Sequence, residues 1–120
     1  MLRRGHVPGS VDPVQVETVL DVLAGSVRVD AVGDRRVLVL DGEVDAATLD
    51  DFRERAGAEP PVVDTIDAGA VTYLSAQGLC LLVTTRAASR AAGRAGRLVT
   101  RSPAVDRVVA LSGLGAVLGR

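Results

Sequence analysis

The chain has 120 residues, with 14 basic and 15 acidic side chains and a net charge of -1. That length fits one domain, and the even charge balance gives no electrostatic footprint for nucleic acid or an anionic membrane surface. Apolar residues make up 48% of the chain but aromatic ones only 2%, with no Trp, so the core has to be built from Val, Leu, Ile and Ala, and little is left for stacking on bases.

Every basic residue is Arg, Cys80 is the sole cysteine and His6 the sole histidine. A lone cysteine rules out an internal disulfide and a zinc cluster. No apolar run reaches the ~20 residues that a membrane helix needs. Met1-Leu2-Arg3-Arg4-Gly5 carries charge with no apolar stretch behind it, so a secretory leader is not expected and a cytoplasmic location is.

Residues 1–11 read as a lead. Asp12-Pro13-Val14-Gln15 has the signature of a helix start, with Asp12 as cap, Pro13 at the first helical position and Gln15 as the reciprocal cap. Val16, Val19, Leu20 and Leu23 then share a helical face, and Gly25 stops it. Val14, Val16, Thr18, Leu20 and Val22 also alternate as a strand would, but the caps at both ends favour the helix.

Residues 26–32 alternate, Gly33-Asp34 is a turn pair, and an apolar run over residues 36–40 follows; together they predict a β-hairpin. Asp41-Gly42-Glu43-Val44-Asp45 closes its second strand. A helix is expected over residues 48–56, ended by Gly57. Pro60-Pro61 breaks the chain before a short β-branched strand over residues 62–66. Asp67-Ala68-Gly69-Ala70 reads as a loop, and Val71-Thr72-Tyr73-Leu74 returns the chain to a helix over residues 76–92, with Leu79, Leu82 and Val83 on one face. Gly93 and Gly96 frame a turn, residues 97–101 form a fourth strand, and Ser102-Pro103 opens a last helix that carries Val105, Val108, Val109 and Leu111 to Gly113. Residues 114–118 complete a final turn. The fold class predicted is α/β: one mixed sheet of about four strands, helices on one face because parallel crossovers are right-handed, and an extra N-terminal helix. The division expected is a lead with its helix over residues 1–25 and the domain proper over residues 26–120.

Three segments, taken in order, resemble the STAS family and within it the bacterial anti-sigma factor antagonists. The first is residues 37–48, where a strand runs into Gly42-Glu43-Val44-Asp45. The second is residues 62–79, with Asp67-Ala68-Gly69-Ala70-Val71-Thr72-Tyr73-Leu74 ahead of Gly78-Leu79. The third is Arg97-Leu98-Val99, then Ser102-Pro103-Ala104-Val105 and Leu111-Ser112-Gly113-Leu114. The resemblance implies a domain that binds an anti-sigma factor, often a serine protein kinase, and that is switched off by phosphorylation of a serine. That serine lies in a loop patterned as aspartate, two hydroxyl residues and glycine. Here the loop reads Ser75-Ala76-Gln77-Gly78: Ser75 stands where the aspartate usually is, and Ala76 and Gln77 stand where the hydroxyl residues would be. The usual switch is therefore expected to be lost while the binding scaffold is kept.

Each residue singled out also has a plain structural role. Ser75 is the helix cap or, as the sharper reading, a displaced phosphosite; a phosphate there would meet the unpaired N–H groups of the helix start. Asp45 caps the helix after the second strand or lies beside the switch loop. Asp67 ends a strand and holds the loop after it. Gly78 allows a close backbone approach, and Gln77 is solvated or pairs at an interface. Arg86, Arg90 and Arg94 recur every four residues, as a solvated stripe or a face for an acidic partner or a phosphate. Cys80 is read as buried packing. The partner surface implied by the resemblance comprises Asp45, Thr72, Ser75, Ala76, Gln77, Gly78 and Leu79; a homodimer is compatible with it.

Catalysis is not expected. General acid–base work wants a positioned His or a tuned carboxylate pair, whereas His6 lies in the lead; no nucleophile–base pair or P-loop pattern is present, and no cofactor or metal is called for. The functions in contention are an anti-sigma factor antagonist without the usual serine switch, and a STAS subunit of another assembly such as a lipid-transport or sensor complex.

Overall fold

The computed structural model describes residues 24–118. The extra helix expected over residues 12–25 lies outside them apart from Ala24 and Gly25, and His6 lies outside them as well. The order of elements is β1 (Ser26–Val32), β2 (Arg35–Val44), α1 (Ala46–Ala56), β3 (Thr65–Leu74), α2 (Ala76–Ala91), β4 (Arg97–Arg101) and α3 (Pro103–Ser112).

The strands form one mixed sheet in the order β1-β2-β3-β4. β1 and β2 are the expected antiparallel hairpin, with Val32 opposite Arg35. Gly33, at φ 62°, takes the first position of the two-residue turn, where a positive φ is required. β2, β3 and β4 are mutually parallel. Both crossovers step the same way across the sheet, so right-handedness puts α1 and α2 on one face.

That face holds the core. Val27, Leu38, Leu40, Ile66, Ala68 and Leu98 alternate inward from the strands and meet Leu49 and Phe52 of α1, Leu81 and Leu82 of α2, and Val105 and Val109 of α3. The tail turn closes the same cluster: the Leu118 side chain is fully buried, and its N–H donates to the Leu114 carbonyl at 3.1 Å.

Several expectations need correcting. The loop read at Asp67-Ala68-Gly69-Ala70 is strand, since β3 runs unbroken from Thr65 to Leu74. Gly, Ala and Asp are poor strand formers, but β3 is hydrogen-bonded on both sides, and the small Ala68 is a fully buried member of its inner face. The irregularity the composition signals is present as register shifts at Ile66/Asp67 and Val39/Asp41. Asp67 accordingly sits inside the strand, its Oδ1 accepting the Gly69 N–H at 3.0 Å. α1 begins at Ala46, two residues before the expected start, because Asp45 and not a later residue is its cap. Within α2, Leu79, Leu82 and Val83 do share a face, Leu82 fully buried and Leu79 and Val83 partly buried against the core, and the buried side also takes in Gly78, Leu81, Thr85 and Ser89. Cys80 lies on the opposite side and is exposed.

Two details explain glycines. Gly42 takes φ 69° where β2 shifts register against β3. There Ala24 forms a parallel bridge to Glu43, bringing Gly25 so close that a Cβ would stand 1.9 Å from the Glu43 carbonyl oxygen. The Gly42-Glu43 pair thus marks the point where Ala24 and Gly25 close on β2.

Candidate functional site

Each parallel strand ends in a single residue that caps the next helix. Asp45 follows Val44, Ser75 follows Leu74 and Ser102 follows Arg101. Asp45 Oδ1 accepts the Thr48 N–H at 3.0 Å and the Thr48 hydroxyl at 2.9 Å. Ser75 Oγ accepts the Gly78 N–H at 3.1 Å, and Ser102 Oγ accepts the Val105 N–H at 3.2 Å. Side-chain oxygens there satisfy backbone donors that have no partner inside the helix. Three helix starts therefore lie along the carboxyl edge of the parallel strands.

The caps also remain tied to the sheet. The Ser75 N–H donates to the Val44 carbonyl at 2.9 Å, and the Ser102 N–H to the Ala68 carbonyl at 3.1 Å. Val44 pairs with Leu74 in the register of β2 and β3, so Asp45 and Ser75 occupy corresponding places on adjacent strands. Two of the segments picked out in the sequence thus meet at one edge.

The residues proposed for partner contact separate by exposure. Thr72, Ala76 and Gln77 are exposed, Asp45 and Leu79 are part-buried, and Ser75 and Gly78 are buried. Ser75 keeps only 7% of its surface, so its hydroxyl serves the helix start and faces little solvent. Gly78 is there because of side chains, not the backbone approach expected from sequence: a Cβ would come 2.5 Å from Leu74 Cδ1 and 3.2 Å from Val44 Cγ1. Hydrogen bonds from Thr48 hold the Asp45 carboxyl below its ordinary value of 3.8, so it stays ionised at neutral pH.

Two exposed side chains extend this surface beyond the residues chosen from sequence. Tyr73, 53% exposed, precedes the loop, and Cys80 follows it on the first turns of α2. Tyr73 pairs with Glu43 in the register of β2 and β3. The signal available in the sequence was that Tyr73 is the chain's single Tyr; its outward direction depends on the strand continuing through residues read as a loop.

Among the described residues no group of three His, Cys, Asp or Glu side chains is placed to hold a metal ion, and no helix is long and apolar enough to cross a membrane.

The sequence model described as "Mlab, STAS domain" matches residues 27–119. Curated proteins give no significant match. Among solved structures, an anti-sigma factor antagonist from Mycobacterium paratuberculosis is similar at 28% identity and a TM-score of 0.58, over 80% of this chain and 84% of that one. The mixed four-stranded sheet, its helical face and the segments ending at Asp45, Ser75 and Ser102 all fall within the matched span, and the chain belongs to the STAS domain family.

Proposed function

We propose that this chain is an antagonist-like regulator that binds an anti-sigma factor or a serine protein kinase partner, and that it does so without the phosphoserine switch. It acts as a cytoplasmic protein-binding module and not as an enzyme. The antagonist-like reading is supported by the similarity to the anti-sigma factor antagonist from Mycobacterium paratuberculosis, and the observation that carries the loss of the switch is the state of the switch loop. The exposed positions Ala76 and Gln77 bear no hydroxyl, while the loop's one hydroxyl, on Ser75, is buried and accepts the Gly78 N–H. A kinase has to draw the acceptor oxygen out of that bond before it can phosphorylate it. The surface around it is available: Thr72, Tyr73, Ala76, Gln77 and Cys80 are exposed beside the ionised Asp45. An exposed aromatic next to a fixed helix start is the kind of anchor on which protein interfaces concentrate their energy.

The test is co-purification of the chain with each anti-sigma factor of its host, comparing the native sequence with Gln77→Arg. Stable complex formation by the native chain, lost in the variant, is expected. Failure of the native chain to bind any of them would remove the antagonist reading.

A second reading keeps the fold and the surface but places the chain as a STAS subunit of a larger assembly, such as a lipid-transport or sensor complex. It is favoured by the matched description, which is of the Mlab type, and by the same lack of a free loop hydroxyl. Co-purification with membrane-transport subunits in place of an anti-sigma factor would select it.

A further inference from the structure

At the far end of α2 from Ser75, four arginines surround one concavity. Arg86 and Arg90 come from the last turns of the helix, Arg94 from the turn after it, and Arg97 from the start of β4; Gly93 and Ala95 complete the lining of a space of about 400 Å³. The regular spacing of Arg86, Arg90 and Arg94 suggested a stripe along a helix. The helix ends at Ala91, however, and the turn folds Arg94 back and brings Arg97 in, so the stripe becomes a cup.

Two of the arginines are held in place. Arg86 Nη1 donates to the Ala95 carbonyl at 3.0 Å, and Arg94 Nη1 donates to Asp64 Oδ2 at 2.7 Å. Arg90 and Arg97 are exposed. Only Arg94 has an acidic partner: Arg86, Arg90 and Arg97 form no ion pair among the described residues, and no carboxylate lines the space. In a chain with 15 acidic residues against 14 basic ones, three guanidinium groups lining one concavity without a carboxylate partner make it locally positive, which favours an anion there. The dipole at the end of α2 favours basic residues there, which accounts for Arg90 but not for Arg97 on another element.

We propose that this concavity binds a small anion bearing two adjacent phosphate groups. Guanidinium forks recognise phosphate oxygens in pairs, and the lining arginines come from α2, the turn after it and β4, so a ligand with two phosphate groups can engage more than one of them. The space lies near the lower end of the range for small-ligand pockets. Its only lining residues besides arginine are Gly93 and Ala95, so it has no apolar platform for a nucleobase or an acyl chain. Because α2 has 16 residues and is ~24 Å long, this site is separate from the partner surface, and the two stand or fall independently.

The test is titration of the full chain with inorganic pyrophosphate by calorimetry, with amide shifts followed in parallel by NMR. One saturable site is expected, with shifts centred on Gly93 and Ala95. Arg90→Gln with Arg97→Gln should weaken binding at least ~10-fold, while Arg107→Gln, on the exposed side of α3, leaves it unchanged. The absence of saturation, equal loss in the Arg107→Gln control, or displacement of pyrophosphate by an oligoglutamate peptide at equal charge concentration would each overturn the proposal. The shift pattern in the native chain decides the matter even if the double variant does not fold.

Discussion

The N–H of Ser75 donates to the carbonyl of Val44 at 2.9 Å, while the Ser75 hydroxyl accepts the N–H of Gly78 at 3.1 Å. One residue thus belongs to the edge of the sheet and to the start of α2 at once. Replacing the side chain leaves the first bond intact and removes the second. Ser75→Ala is expected to destabilise the domain by ~1 kcal/mol, read as a lower urea midpoint at unchanged slope. Ser75→Asp, which keeps a capping oxygen, should restore most of the loss. If Ser75→Ala were neutral, the capping bond would have no energetic weight and the serine would be free for another role.

Gly25 lies directly against Glu43 of β2. Since a Cβ there would meet the Glu43 carbonyl oxygen at 1.9 Å and its carbonyl carbon at 2.4 Å, the backbone has to move. Gly25→Ala should destabilise by ~1–3 kcal/mol, as overpacking does, and should lower the melting temperature. Gly33→Ala makes a useful contrast: no atom lies within 4 Å of its Cβ, and only its φ of 62° resists the substitution, so its penalty should be the smaller.

Asp64 ties the hairpin to the turn after α2. Its Oδ2 accepts the Arg36 N–H at 2.7 Å and the Arg94 guanidinium at 2.7 Å. The Arg36 N–H bond and the Arg94 charge hold the carboxyl below its ordinary value of 3.8. A depressed carboxyl contributes stability that is fully present above the unfolded value and is lost as pH falls through the folded one. Stability should therefore fall as pH drops below about 4, and Asp64→Asn should flatten that part of the profile while lowering stability at pH 7. Asp45 is depressed as well, through Thr48, so Asp45→Asn should flatten the same window. Parallel pH profiles for the native chain and the two variants would count against these roles.

Tyr73 offers the clearest separation of binding from folding. It is 53% exposed, so Tyr73→Ala should change the melting temperature little. At the proposed partner surface it should weaken the complex by ~2 kcal/mol or more, about 30-fold in Kd. Equal affinity of the two proteins in a titration calorimeter would move the interface elsewhere.

Much of this fold was readable because its boundaries are chemical. Gly33-Asp34, Ser102-Pro103 and Gly113 each impose a local geometry, and the structure uses them as a hairpin turn, a helix start and a helix stop. Asp45 is legible as a capping residue for the same reason, and the structure uses it as one. The misreadings arose where neighbours decide. Asp67, Ala68 and Gly69 look like a loop because none favours a strand, yet β3 is paired on both sides, with β2 and β4, and its neighbours outweigh propensity. In α2 the face of Leu79, Leu82 and Val83 does pack on the core, but the buried side also passes through Thr85 and Ser89, both fully buried, which hydropathy alone leaves out. Ser89 is there because its Oγ accepts the Val63 N–H at 2.8 Å, a need that arises 26 residues away and leaves no mark on hydropathy. Cys80, within the same apolar run, points away from that side and is exposed. The arginine cup was half visible: the spacing of Arg86 and Arg90 was there to read, but the turn that adds Arg94 and Arg97 is a tertiary feature.

The most direct measurement of the central claim is to mix the purified chain with its host's anti-sigma kinases and ATP, recording complex formation and intact mass in the same sample. The account predicts a stable complex with no added phosphate. A phosphate mapped to Ser75 would contradict the loss of the switch, and the absence of any complex would contradict the antagonist role itself.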